Sequence, residues 1–392
     1  MFQRSFLTVR LVFQQFRRAG LPWLLRRMKQ EWVTPTTALG RLLYSTRNTL
    51  GRKPRTLFSS HPLSNPGDAT LYAFYDLGAM PVTFDFLWFL VGTDVARRQA
   101  GLGSVHIVIV PGPDEGLRRE DLDYELAVAP AARKARIMNI LVAACPFLSS
   151  MSGVTVASSR EQAALLVQAA ADKVFPERYR SDMPRRPQVK DHLEAYRRGG
   201  GELAVIRATD SDLAVADRFL AEVAQGRRVV TITLREYNYM TARNSNLKAW
   251  AAFAERLDRS QYAVVVVRDT DFCFAAPPAE LAGLTIFDAA AVNLGLRMAL
   301  YERSYINLGV NNGPMCLCWL NARARYITFK ILTEGVPQTT VEYMTFLGFE
   351  IGRSLPFANS TQKWVWEDDD VDIIAREFAA MSQIIDSQSQ LA

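Results

Sequence analysis

The chain has 392 residues, 49% of them hydrophobic and 22% charged, so it can bury a sizeable core and is not a generally disordered protein. Its 22 Gly, 18 Pro, four Cys and three His residues exclude collagen-like and low-complexity chains and leave little for a zinc site or a disulfide framework. The net charge of +6 is uneven, because residues 1–60 carry twelve Lys or Arg against one acid and the remainder is net acidic.

The basic segment 1–60 mixes Arg with apolar and aromatic residues, which predicts a helical arm. Arg4, Arg10 and Arg17 interrupt every apolar run before it reaches the roughly 20 residues that span a bilayer, so no membrane span is predicted. The arm either contacts an anionic membrane surface or packs on the body with its Arg side chains solvated. Nucleic-acid binding is disfavoured by the acidic body, and we expect a cytoplasmic protein, peripheral on the inner face of the membrane if the arm binds lipid.

After the arm, apolar runs of strand length alternate with amphipathic runs of helix length, as in a parallel sheet wound with helices. In the first half the pattern predicts strands at 70–75, 105–110 and 153–157 and helices at 83–99, 131–144 and 159–171. A Pro-, Arg- and Gly-rich stretch then follows, with a short helix over 189–197.

The second half repeats the alternation more clearly. The pattern predicts strands at 228–234, 262–268, 284–288, 304–308 and 325–330, and helices at 211–224, 245–257, 290–302 and 314–320 and a last one reaching about 385. The predicted domains are therefore an arm at 1–60, an α/β domain at 61–185, a linker at 186–201 and a second α/β domain at 202–392. Two such domains imply a cleft, with ligands at the carboxyl ends of the strands.

The loop Asn311-Asn312-Gly313-Pro314 follows one of these strands and precedes an apolar helix. Gly313 permits a close backbone approach, and Pro314 suits the first helical position. Free N–H groups at such a helix start, with the two Asn amides, favour an anion such as a pyrophosphate. The other interpretation is an ordinary strand-to-helix turn.

Two further strand ends carry polar side chains. Arg235 follows the strand at 228–234, with Arg243 nearby, and the guanidinium fork suits phosphate, although Arg235 could instead pair with Glu236. Asp269 and Asp271 follow the strand at 262–268 in an Asp-x-Asp pattern. This pattern fits a divalent cation, a solvated loop, or contacts to a ribose and base, and Asp121 with Asp123 matches it equally well.

The segment 289–330 resembles the C-terminal nucleotide-sugar half of GT-B-type glycosyltransferases, especially the heptosyltransferase-like and O-fucosyltransferase-like groups. In those a helix, a short strand, a small-polar-Gly-Pro loop and an apolar helix follow in this order. The resemblance implies two Rossmann-like domains with a central cleft, in which the second domain binds the donor. It implies a diphosphate site at Arg235, Asn311, Asn312, Gly313 and Pro314, and a nucleotide site at Asp269, Asp288 and Arg243.

By the same resemblance, an inverting enzyme of this type needs a carboxylate base on the acceptor side. Asp76, at the end of the first strand, and Asp85, early in the next helix, are the candidates, with Glu115 behind them; His61 is taken as incidental.

The predicted activity is sugar transfer from a nucleotide-diphosphate donor to a hydroxyl of a surface glycan or its lipid-linked precursor, as in polysaccharide biosynthesis. No metal and no cofactor are predicted. A non-catalytic sugar- or partner-binding protein and a nucleotide-sugar epimerase are the alternatives.

Overall fold

The structure is a computed structural model that describes residue 21 and the ranges 69–199 and 201–391. The predicted arm, apart from Leu21, and His61 lie outside the described residues, so those interpretations stay predictions. Within the described ranges no helix combines the length and the hydropathy that crossing a membrane requires.

The first half contains one parallel sheet. Its strands are β1 Thr70–Asp76, β2 Ser104–Val110, β3 Met151–Val156 and β4 Val174–Phe175. They lie in the order β3-β2-β1-β4. The helices of this half are α1 Asp85–Gln99, α2 Leu122–Ala127, α3 Pro130–Arg136, α4 Arg160–Ala170 and α5 Val189–Arg197, with a π-helical segment at Ile137–Val142. The last four residues of β1 and of β2 are all buried, as expected for a sheet covered on both faces.

The second half contains a larger parallel sheet. Its strands are β5 Arg228–Thr233, β6 Tyr262–Val267, β7 Thr285–Ile286, β8 Ile306–Val310, β9 Tyr326–Phe329 and β10 Gln362–Trp364. Its helices are α6 Asp210–Ala224, α7 Leu247–Arg256, α8 Asp288–Val292, α9 Leu294–Arg303, α10 Cys316–Trp319, α11 Val341–Phe346 and α12 Val371–Leu391. Short 3₁₀ turns lie at Thr241–Arg243, Thr270–Phe272, Ala279–Leu281 and Pro337–Thr339 in this half and at Cys145–Phe147 in the first half.

The strand order of the second sheet is β10-β9-β8-β5-β6-β7. Counted from β5, this is the Rossmann order 3-2-1-4-5-6, in which the chain first builds one side of the sheet and then returns to build the other. The four strands of the first sheet have the order 3-2-1-4, which is the first part of the same Rossmann order. The predicted α/β class with two Rossmann-like sheets is confirmed.

Both faces of the second sheet are covered by helices. Val266 of β6 packs with α7 and α12, whereas its neighbours Val265 and Val267 pack with α6 and α9. The period of two along the strand therefore supplies apolar side chains to both layers.

The predicted elements differ from the observed ones in a few places. The predicted helix 290–302 is broken at Asn293, whose side chain accepts a hydrogen bond from Leu296 N and so starts α9. The helix predicted at 314–320 is only the four residues of α10. The strands β4 and β10, with two and three residues, and the helices α2 and α11, with six each, are too short to give a periodic signal.

The segment predicted as a linker packs against both halves. His192 of α5 fills the space over Gly92 of α1, where a Cβ atom would lie 2.1 Å from the imidazole ring. Arg197 Nη2 donates to the carbonyl oxygen of Gly348 in the second half (2.9 Å). Both sheets belong to one compact unit, so the domain boundaries at 185 and 202 stay predictions.

Burial of His192 makes stability depend on pH. Burial lowers the pKa of His192 from 6.5 to about 4. Between pH 6.5 and pH 4 the unfolded chain therefore binds a proton at this imidazole that the folded protein does not bind, which favours unfolding. We expect this group alone to reduce the free energy of unfolding by about 2 kcal/mol between pH 7 and pH 5. Urea unfolding of the wild type and of His192→Gln at pH 7 and pH 5 measures this change in the free energy of unfolding. An equal decrease in the two proteins would contradict the role of His192.

Candidate functional site

The carboxyl edge of the second sheet gathers most of the predicted site residues. Each follows a different strand of that sheet: Arg235 follows β5, Asp269 follows β6, Asp288 follows β7 and Asn311–Pro314 follow β8. The strands β5 and β8 are neighbours, and the chain leaves them in opposite directions along the sheet. Such a switch point leaves a crevice at the strand ends, where open α/β sheets bind their ligands.

The carboxyl edges of the two sheets meet. Tyr239, in the loop after β5, donates from its hydroxyl to Asp121 Oδ2 in the loop after β2 (3.1 Å). Arg136 Nη2 donates to the hydroxyl of Tyr237 in the same loop (2.9 Å). The predicted acceptor half and donor half are thus joined through their strand-end loops.

Gly313 packs closely against the first half. A Cβ atom at Gly313 would lie 2.6 Å from Cδ2 of Phe84, the residue that precedes α1. The ring of Phe84 thus occupies the space that a side chain at position 313 would need, and the role of Gly313 beside a pyrophosphate stays a prediction. Glycine is required here by packing between the halves.

Two buried donors in this region have no partner. Asn312 is 6% exposed, and its Oδ1 accepts a hydrogen bond from Met315 N (3.1 Å), whereas its Nδ2 has no partner within the described ranges. Arg243 Nη2 donates to the carbonyl oxygen of Asn311 (2.9 Å), but its Nε is likewise buried and unpaired in the part of the chain described. An unsatisfied buried donor costs about 1–3 kcal/mol, which an anionic ligand would recover.

Arg243 remains a cation in spite of its burial. Burial, with the neighbouring Arg235, lowers its pKa to about 10, and the field of Asp85 opposes the shift. At pH 7 the guanidinium is therefore charged, and it is bonded to the loop after β8 through the carbonyl oxygen of Asn311.

Arg235 braces its own loop. Its guanidinium, in a side chain 7% exposed, donates to the carbonyl oxygens of Met240 (3.1 Å) and Tyr239 (2.6 Å) and to Asn244 Oδ1. Burial lowers its pKa. Glu236 pairs with Arg268 instead, through two bonds of 2.8 Å. Arg235 thus fixes the loop that presents Arg243.

Asp85 has the accessibility that a catalytic base needs. It is the first residue of α1, its side chain is 53% exposed, and its Oδ2 accepts one hydrogen bond from Arg186 Nη2 (2.8 Å). The pKa of the Cys316 thiol, at the start of α10, is raised by burial and further by Asp85. Phe84, the residue before Asp85, packs against Gly313, so Asp85 lies near the loop after β8.

Asp76 lies in a different environment. It is fully buried, and Arg160 holds its two oxygens with bonds of 2.9 and 2.8 Å. The Tyr179 hydroxyl (2.5 Å) and Gly78 N (2.8 Å) donate to the same carboxylate. With four donors and no exposed surface, Asp76 anchors its half and has no room for an acceptor hydroxyl.

The remaining predicted carboxylates, those of Asp269, Asp288 and Glu115, lie in three different environments. Asp269 Oδ2 accepts from Glu236 N (2.7 Å), and burial raises its pKa. Asp288 begins α8, and Glu115 is exposed and paired with Lys134 Nζ (3.1 Å). No cluster of three His, Cys, Asp or Glu suited to a metal ion occurs among the described residues.

Sequence reasoning missed three residues at the junction. Lys330 follows β9 at the same edge, with Nζ 3.6 Å from Asp369 Oδ1, and its position as the last residue of the predicted strand 325–330 was a usable signal. Arg186 and Phe84 carried no signal, because only the packing of the two halves places them beside Asp85 and Gly313.

No protein-family model matches the sequence, and no curated protein matches it. Among solved structures, the chain is similar to a family 9 glycosyl transferase from Veillonella parvula DSM 2008, with a TM-score of 0.47, 9% identity, and coverage of 67% of this chain and 80% of that one. The E. coli heptosyltransferase WaaC with ADP gives a TM-score of 0.42, 10% identity, and coverage of 79% and 100%. The NodZ alpha-1,6-fucosyltransferase soaked with GDP-fucose gives a TM-score of 0.35 and 12% identity, with coverage of 67% of this chain and 96% of that one.

The second and third of these structures are a heptosyltransferase and a fucosyltransferase, the two groups that the sequence segment 289–330 resembles. With TM-scores below 0.5 they assign no activity, donor or acceptor to this chain.

The bracing role of Arg235 predicts a loss of stability on truncation. Arg235→Ala leaves two carbonyl oxygens and an amide oxygen without their charged donor, and we expect the free energy of unfolding to fall by about 2–3 kcal/mol. Urea denaturation measures it. The matched control is Arg303→Ala, which removes an exposed pair with Asp217 and should cost less than about 1 kcal/mol; equal losses in both variants would contradict the brace.

Proposed function

We propose that this chain is a glycosyltransferase that moves a sugar from a nucleoside-diphosphate donor to a hydroxyl of a surface glycan or its lipid-linked precursor. The observation that carries the proposal is the pair of buried, unpaired donors, Arg243 Nε and Asn312 Nδ2, on the two loops that flank the switch point of a Rossmann-type sheet.

A diphosphate matches this pair in charge and in hydrogen bonding. The ionised oxygens of a diphosphate accept hydrogen bonds and do not donate them. Hydrogen bonds between a guanidinium and an ionised oxygen are stronger than those between neutral groups. During transfer, negative charge grows on the leaving diphosphate, and donors fixed in a water-poor site stabilise it. Arg243 and Asn312 would supply this stabilisation without a metal ion, and Arg235 and Asn311 would hold them in place.

The acceptor hydroxyl loses its proton as the new bond forms, and a carboxylate on the opposite half can take it. Asp85 is exposed and on the first half, so we assign the base to Asp85 and not to the buried Asp76. Arg186, bonded to Asp85 Oδ2, fixes the direction of the carboxylate. Asp269 and Asp288, at the ends of β6 and β7, would face the nucleoside.

A lipid-linked acceptor would be reached from the cytoplasmic side, with the basic segment 1–60 at the anionic membrane surface. This part of the proposal rests on the charge of that segment alone.

Donor binding is the first test. Calorimetric titration of the wild type with ADP, GDP, UDP and CDP, in EDTA, should show binding of at least one of them. Arg243→Met should weaken that binding about 10- to 100-fold, because a hydrogen bond to a charged group contributes about 1.5–3 kcal/mol. Asn312→Ala should weaken it about 10-fold.

The control for these variants is Arg303→Met, which removes a guanidinium at the opposite edge of the sheet and should bind like the wild type. Absence of binding to all four nucleotides both in EDTA and in the presence of Mg²⁺, or equal binding by Arg243→Met, would refute the proposal. Binding that EDTA abolishes would refute metal independence only.

The base is tested separately. Asp85→Asn keeps the side-chain shape but cannot accept the proton, and we expect kcat for sugar transfer to fall about 100- to 10,000-fold with an unchanged donor dissociation constant. Asp372→Asn is the matched control, since Asp372 also lies exposed in the first turn of a helix with an Arg partner, Arg256 (2.6 Å). A full kcat in Asp85→Asn would remove Asp85 from the mechanism.

A further inference from the structure

Phe274 is held in a conformation that bulky residues avoid. Its φ angle is +61°, in the left-handed region, and its side chain is 74% exposed. Single exposed apolar side chains are common, but a left-handed aromatic residue is strained and gains no burial here. Strain of this kind persists only where the surroundings enforce it, and it concentrates at ligand sites.

Arg268 enforces the conformation. Its Nη1 lies 3.3 Å from the carbonyl oxygen of Phe272 and 3.4 Å from that of Ala275, the residues on either side of the Cys273–Phe274 pair. The same guanidinium is fixed by two bonds of 2.8 Å to Glu236. Arg268 therefore holds the backbone at a carbonyl oxygen before Phe274 and at another after it, and the ring of Phe274 is exposed to solvent.

The position of Phe274 in the fold indicates the ligand. It follows β6, the second strand of the Rossmann order, and Phe272 N donates to the carbonyl oxygen of Asp269 (3.0 Å). In nucleotide-binding sheets of this order, an acidic residue at the end of the second strand meets the ribose, while the phosphates lie at the switch point. Asp269 occupies that place in the second sheet, and Phe274 follows it five residues later in the same loop, on the side of the sheet away from the switch point.

We propose that Phe274 is the platform on which the base of the nucleotide donor stacks. This inference rests on the proposed function, and it assigns the recognition of the base to a residue that the sequence motifs did not include. Stacking accepts any base, because every base has a π face, so Phe274 contributes affinity and leaves the choice among bases to hydrogen-bonding groups.

Phe274→Gly tests the inference through two readouts of opposite sign. Glycine adopts a positive φ without strain, so the melting temperature should rise by a few degrees. Loss of stacking should weaken binding of the nucleoside diphosphate about 5- to 100-fold, while inorganic pyrophosphate binds with unchanged affinity. Phe274→Tyr, which keeps the ring, should retain the wild-type affinity for the nucleotide.

The matched control is Gln225→Gly. Gln225 follows α6 at the opposite edge of the sheet with a φ of +49°, so this variant should gain stability and bind nucleotides like the wild type. If the wild type binds a nucleoside diphosphate and Phe274→Gly binds it equally well, the platform is refuted and the proposed function stands. Weakened pyrophosphate binding in Phe274→Gly would also refute it, and a wild type that binds no nucleotide would refute both proposals.

Discussion

The constraint on which the site depends is the reversal of strand order between β5 and β8. Parallel strands need crossover connections, and here the chain builds β6 and β7 on one side of β5 before it returns to place β8, β9 and β10 on the other. The loops after β5 and β8 consequently diverge and leave their polar groups around a crevice. Arg243 and Asn312 lie on these two loops with unpaired donors, so the topology creates the site before any side chain is considered.

The second determinant is the junction of the two halves. Phe84 packs on Gly313 so closely that no side chain fits there, and Tyr239 donates to Asp121 across the same junction. The contact places Asp85, the residue after Phe84, near the loop after β8, to which Arg243 of the other half donates a hydrogen bond. The loop with Arg243 is in turn held by Arg235, whose guanidinium donates hydrogen bonds to carbonyl oxygens of the same loop. These bonds hold the loop that carries Arg243 in one conformation, at a cost in desolvation.

Asp76 and Asp85 show how environment separates residues that the sequence ranks alike. Both lie where a strand passes into a helix, and both matched the expected place of a base. Asp76 is enclosed by Arg160, Tyr179 and a backbone N–H, whereas Asp85 is exposed with one partner. The side-chain partners, Arg160 and Tyr179 of Asp76 and Arg186 of Asp85, come from more than 80 residues away, so no local pattern could have distinguished the two carboxylates.

The sequence by itself determined the fold class, most of the strands and long helices, and the loops after β5 and β8 as the places for polar chemistry, because hydrophobic period and strand-end position are local properties. Tertiary structure alone decided which polar groups are free. Arg235 is a brace, Gly313 is a packing contact and Arg243 holds an unpaired donor, although all three had the same local signal. The physical reason is that burial and hydrogen-bond partners are set by segments distant in sequence, and these decide whether a charged group supports the fold or meets a ligand.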